Sequence, residues 1–329
     1  MRNLFLLLPL PLLLFSCDDE TSYYDPGCGP EDDFAPTSLL SYAGNLANTD
    51  SLNDSITFDM GRIADHSLTF MIEQVIVCKD ADLTQSNADT LYPGVPVVIL
   101  KTVGENISGN WGRPVFLIRY QGDQEIKEGY ISLKGVSVSN SFTADSNLLL
   151  YGFTGLREGK EGVVKGLAVV IGKNNQVLAS CEVDPIGGDG FDQAGEVRYN
   201  YTVWGHLNDS MGLSGIRNVL DLEMYYPACG YAGGNVHLFW TGESLVNAFM
   251  DYDMGDAGAY SVYSSPIFPK DGKGMKNAVL CVTNQVEYDG TEEMKESNHD
   301  SIVVKYTWDP KNGLAKGDTI FKQNMVLKK

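Results

Sequence analysis

The stretch 301-SIVVKYTW-308 decides the fold class. Ile302, Val304, Tyr306 and Trp308 recur at every second position, which puts them on one face of an extended strand. Val, Ile, Tyr, Thr and Trp are also the residues that suit a pleated surface. The stretch ends in 309-DPKNG-313, a turn cluster built from residues that close chain reversals. Working back from it, the same grammar repeats. SITFDM, SLTFMIEQVIV, PVVILKTV, PVFLIRY, EGYISLKGVSV, NLLLYGF, VVKGLAVVIG, QVLASCEV and EVRYNYTVW come first. VLDLEMYY, NVHLFW, AYSVY, AVLCVTN and DTIFKQN follow. Between them lie YQGDQ, IGKNNQ, GGDGFDQAG and WTGES. The 35 glycines fit a turn-rich chain. SLVNAFMDY is the nearest approach to a helix, and it is short. The expectation is an all-β protein over residues 51–329, either one domain or two.

A strand, a Gly/Asn turn and a second strand recur at IRYQGDQEI, VVIGKNNQVL, LFWTGESLV and YTWDPKNGL. Segment 206-HLNDSMGLSGIRNVLDLEMYYPACGYAGGNVHLFWTGESLV-246 resembles the FG-GAP or VCBS repeat of β-propellers: an Asp/Asn/Gly loop, an apolar strand, a glycine gap, then a strand ending in an aromatic. That resemblance implies a degenerate propeller, with tandem β-sandwiches as the alternative. The repeat's loop holds Ca²⁺ through alternating acids. Here Asn208, Asp209 and Asp221 match it, with the alternation broken. A second calcium candidate is 251-DYDMGD-256, where Asp251, Asp253 and Asp256 offer the oxygen donors the ion prefers.

The first residues speak to location. Arg2 precedes an apolar run, Leu4 to Phe15, too short to span a bilayer. Leu14-Phe15-Ser16-Cys17 resembles the lipobox of bacterial lipoproteins, and Asp18-Asp19-Glu20 resembles the acidic signal that sends such proteins to the outer face of the outer membrane. Together these imply a signal peptide over residues 1–16, acylation of Cys17, and a lipidated tether over 17–50 that holds the chain to a membrane at the cell surface. Asp-Ser/Thr-aliphatic triplets at Asp50, Asp54, Asp89, Asp209, Asp300 and Asp318 resemble an O-glycosylation motif of exported proteins. They also read as turns that precede strands.

Charge excludes one class of partner. The chain of 329 residues carries a net charge of −19 and so repels nucleic acid phosphates. Of the cysteines after Cys17, Cys78, Cys181 and Cys281 sit in apolar runs and read as small buried hydrophobes. Cys28 and Cys229 lie in Gly/Pro loops and are the disulfide candidates. No C-x-x-C, H-E-x-x-H, G-x-S-x-G or phosphate loop is present. No catalytic residue is assigned, and His237, inside NVHLFW, reads as a satisfied core histidine.

Aromatic residues beside polar turns suit sugar rings. Trp111, Tyr231 and Tyr252 are the ligand-binding candidates, while Trp240 and Trp308 read as core. The function expected is a non-enzymatic binding or scaffold module at the cell surface, with a polysaccharide or a surface protein as partner. The alternative is a glycoside hydrolase using paired carboxylates.

Overall fold

The computed structural model describes residues 58–59, 67–103, 115–123, 125–156, 164–183, 185–186, 202–225, 232–256, 259–289 and 296–326. All belong to one compact unit, Pro36–Lys329. The leader through residue 50, with Cys17 and Cys28, lies outside the described residues, as do Trp111, Cys229 and Tyr231.

Among the described residues there are nineteen strands and no helix, so the protein is all-β. The first eleven are β1 (Phe58–Asp59), β2 (Leu68–Phe70), β3 (Val75–Cys78), β4 (Ser86–Leu91), β5 (Pro96–Val103), β6 (Val115–Gln121), β7 (Ile126–Ser132), β8 (Ser137–Phe142), β9 (Leu148–Leu156), β10 (Val164–Ile171) and β11 (Val177–Glu182). The remainder are β12 (Thr202–Asn208), β13 (Asn218–Tyr225), β14 (Gly233–Trp240), β15 (Leu245–Asp256), β16 (Tyr260–Ile267), β17 (Ala278–Tyr288), β18 (Glu296–Asp309) and β19 (Gly313–Val326). The helix candidate SLVNAFMDY forms part of β15, where Leu245, Phe249 and Asp251 are buried along a strand.

Three antiparallel sheets result: six strands in the order β2-β5-β6-β7-β3-β4, four in the order β11-β10-β9-β8, and nine in the order β1-β12-β13-β14-β15-β16-β17-β18-β19. The four repeated strand–turn–strand segments are the hairpins β6–β7, β10–β11, β14–β15 and β18–β19. The last two turns are closed by their own side chains: Thr241 Oγ1 accepts from the Ser244 amide at 2.9 Å, and Asp309 Oδ1 accepts from the Lys311 amide at 2.9 Å. Among the described residues no closed barrel or propeller is formed, and layered, sandwich-like sheets are compatible with the arrangement.

One core joins the three sheets. Phe116, Ile118 and Ile131 come from the six-stranded sheet, Leu149, Tyr151 and Val170 from the four-stranded one, and Leu220, Leu222, Val236, Leu238 and Trp240 from the nine-stranded one. Each such side chain contributes about 1.5–3 kcal/mol on leaving water. Trp240 and Trp308 are 1 % and 3 % exposed, as expected of core residues. A sheet of nine twisted strands curls, and here β15 comes into contact with β19. The curl makes a second core from Val219, Phe239, Phe249, Phe268, Val279 and Trp308.

Strand alternation positions the site. On β13 and β14, Leu220, Leu222, Met224, Val236 and Leu238 enter the main core. The intervening residues Asp221, Glu223, Asn235 and His237 therefore share the opposite face. Gly205 lets β12 lie against β8, because the Ser139 hydroxyl fills the space a Cβ would need. Trp204 and His206, flanking it, fall on the same face as Asp221 and Glu223, to which they are register partners.

Candidate functional site

Trp204, Gly205, His206, Asp221, Glu223 and Asn235 line an open cleft of about 450 Å³ on β12, β13 and β14. The second core ends where the cleft begins, and His237 stands at the boundary. Its ring is 2 % exposed. It stacks on Phe249 with centroids 4.3 Å apart and meets Phe268 in a T-shaped contact at 5.9 Å.

Both ring nitrogens of His237 face carboxylates. Nδ1 lies 2.6 Å from Asp221 Oδ1 and Nε2 lies 2.9 Å from Asp251 Oδ2. Register explains this: His237 is the cross-strand partner of Asp221, and Asn235, two residues along, is the partner of Asp251. Burial alone would push the imidazole down. The hydrogen bonds to Asp221 and Asp251, with their charges, outweigh burial and raise its pKa to about 9. The ring is thus an imidazolium at neutral pH and donates from both nitrogens.

The carboxylates are held from behind. The backbone amide and the Nδ2 of Asn235 both donate to Asp251 Oδ1 at 3.0 Å. Asn208 Nδ2 donates to Asp221 Oδ2 at 2.7 Å. Glu223 has its carboxyl pushed up, first by burial and then by the charges of Asp253 and Asp251.

The calcium candidates are placed differently from the expectation. Asp251, Asp253 and Asp256 run along β15 and not around a loop. Asp251 is buried and committed to His237 and Asn235, Asp253 is exposed, and Asp256 sits three residues on, at the strand end, on the alternate face. Of the other set, Asp209 turns to Lys270 at 2.6 Å and accepts from the Met211 amide, while Asn208 and Asp221 bond each other. Among the described residues no group of three or more His, Cys, Asp or Glu side chains is gathered as a metal would require.

Tyr252 is 40 % exposed and pairs with Gly234, so it alternates away from Asp251 and does not line the cleft. Cys78 and Cys281 are buried, Cys181 is half-buried, and all three are free thiols. Of the Asp-Ser/Thr triplets, the one at Asp209 precedes a turn, whereas those at Asp89, Asp300 and Asp318 lie inside β4, β18 and β19.

The aromatic of the cleft is Trp204, which, like Glu223 and Asn235, is not among the candidates the sequence offers. The available signal was alternation: WGH, DLE and NVH each place two polar or aromatic residues either side of a core residue. No protein-family model, no curated protein and no solved structure matches the chain.

Proposed function

We propose that this chain is a non-enzymatic glycan-binding module, anchored through an acylated Cys17 at the outer face of a bacterial outer membrane. The reading is supported above all by the cleft. A half-buried indole, Trp204, stands beside His206, Asp221, Glu223 and Asn235, so one wall stacks on a sugar ring while the floor meets its hydroxyls. We read the three sheets as sandwich-like layers that carry this cleft, in preference to propeller blades.

The test is thermal unfolding against a panel of soluble polysaccharides. A glycan at 100 times its Kd adds about 2.7 kcal/mol to stability. Trp204→Ala removes that shift, whereas a shift that survives the substitution places binding elsewhere, and no shift with any glycan sinks the reading. Cys17→Ser releases the protein from the membrane fraction if the anchor is as proposed.

One observation favours a second reading. A carboxyl raised by burial and by neighbouring carboxylates, as at Glu223, is the state of a general acid in glycoside hydrolysis. Release of reducing ends by the wild type, abolished in Glu223→Gln, would replace the binding module with an enzyme.

A further inference from the structure

A neutral imidazole has one N–H and one lone pair. At His237 it would aim the lone pair at a carboxylate oxygen less than 3 Å away, with Phe249 and Phe268 keeping water from relieving the clash. Two carboxylates at two nitrogens are satisfied only when both nitrogens are protonated. The face of Phe249 also favours a cation stacked over it.

The two carboxylates differ in access. Asp251 has a side chain 4 % exposed and is absent from the cleft lining, whereas Asp221 lines the cleft. The hydrogen bonds therefore form one chain, Asn235–Asp251–His237–Asp221–Asn208, which runs under the floor and reaches the cleft at Asn235 and Asp221. Asn235 gives one Nδ2 hydrogen to Asp251, which fixes the plane of its amide and leaves its Oδ1 as an acceptor and its second N–H as a donor. Asp221 has only acceptor oxygens. Beside them Glu223 adds a further carboxylate.

We propose that His237 is the positioning residue of the cleft: as a buried imidazolium bridging Asp221 and Asp251, it holds Asp221 directly and Asn235 through Asp251, so that a cleft lined by the Asp221 and Glu223 carboxylates selects neutral, hydroxyl-rich glycans over uronic or sulfated ones. The ligand class rests on the glycan reading above; the role of His237 does not. The reason for the selectivity is that sugar hydroxyls donate to the Asp221 and Glu223 carboxylates, whereas an anionic sugar brings negative charge against them.

Several titratable groups surround the bridge. His206 on β12 is opposite Asp221, Glu223 lies beside it on β13, and Asp253 follows Asp251 on β15. On β17, the Cys281 thiol is pushed up by burial and then by the charge of Asp251. On β18, Tyr306 stacks on Phe249 at 5.9 Å, and its phenol is pushed up by burial and then by Cys281. No lysine or arginine among the described residues contributes to the charge balance of His237.

The test begins with ligand-free protein, isotopically labelled, followed by NMR from pH 6 to 10. Both ring N–H signals of His237 are expected at pH 7. The side-chain amide signals of Asn235 and Asn208 are expected to shift with the same midpoint as the ring. Asp251→Asn, a change outside the cleft lining, lowers that shared midpoint by about one pH unit or more. A singly protonated ring at pH 7, or amides indifferent to the ring's titration, overturns the positioning role whether or not any glycan binds. If Asp251→Asn does not fold, the wild-type co-titration decides. Binding to a neutral β-glucan oligosaccharide and to an oligogalacturonate then tests selectivity: at least tenfold preference for the neutral sugar is expected, and preference for the anionic one overturns it. Failure of both sugars to bind, with the ring and amides titrating together, sinks the glycan reading alone.

Discussion

Strands β13 and β14 carry two faces of opposite character. One presents Leu220, Leu222, Met224, Val236 and Leu238 to a dry core shared by three sheets. The other begins with Val219 and Phe239 in the second core and then presents the polar run Asp221, Glu223, Asn235 and His237, of which only His237 is fully buried. The first face is held by apolar area, which is indifferent to direction and to pH. The second is held by charges and directed hydrogen bonds, which fix a geometry that an apolar surface does not specify. The lesson is that burial alone does not separate core from site: His237 is as dry as Leu220, yet its partners tie it to the cleft.

The largest effect should come from exchanging one character for the other. His237→Leu leaves Asp251 buried without its counter-charge and is expected to cost about 4 kcal/mol. Leu222→Ala, on the opposite face, costs about 3 kcal/mol as a cavity. Urea unfolding measures both. The faces part company in the cleft: Leu222→Ala keeps glycan binding once the protein is folded, and His237→Leu loses it. Equal loss of binding in both would mean that the two faces are one unit.

A change of pH probes the polar face alone. His237 titrates near 9 in the folded protein against about 6.5 when unfolded. A base with a raised folded pKa contributes stability that is fully present below the unfolded value and is lost as pH rises through the folded one. The wild type is therefore expected to lose about 3 kcal/mol between pH 6.5 and somewhat above 9. Leu222→Ala keeps this slope and His237→Leu abolishes it. Above 9 the thiols add a loss of the same sign, since burial raises Cys181 to about 12 and pushes Cys281 up, so the unfolded chain ionises first. The window from 6.5 to 9 is the diagnostic one. Unfolding midpoints that stay level across it would mean that His237 is neutral.

The contrast also explains what was legible in the sequence. The apolar face announces itself by period two within each strand, so the all-β class, the hairpins and the core roles of Trp240 and Trp308 were readable. The satisfied state of His237 was readable too, because it sits in an apolar strand. Its partners were not. Asp221 and Asp251 lie 16 and 14 residues away and meet it only through the register of three strands, which hydrophobic pattern does not supply. Asp251 looked like the start of a calcium loop because Gly255 and Asp256 follow it, but β15 continues through both. The order in which hairpins join into three sheets was equally out of reach, since hairpins of the same kind build more than one all-β architecture.

The smallest expected effect has the opposite sign and divides the faces most sharply. Glu223 is an exposed acid whose carboxyl is pushed up by partial burial and by Asp253 and Asp251. A carboxyl raised in this way is more costly to ionise in the folded chain than in the unfolded one, so its charge destabilises at neutral pH. Solvent screens most of that cost, and Glu223→Gln should stabilise by only about 0.3 kcal/mol at pH 7. The gain should vanish below pH 4, where both states are protonated. A substitution on the apolar face has no such route to a gain, because truncation there only removes contacts. A stabilised Glu223→Gln that binds glycan less well would show that the carboxylate is retained for the ligand at the expense of the fold. A destabilised one would place Glu223 among the groups that hold the sheet together.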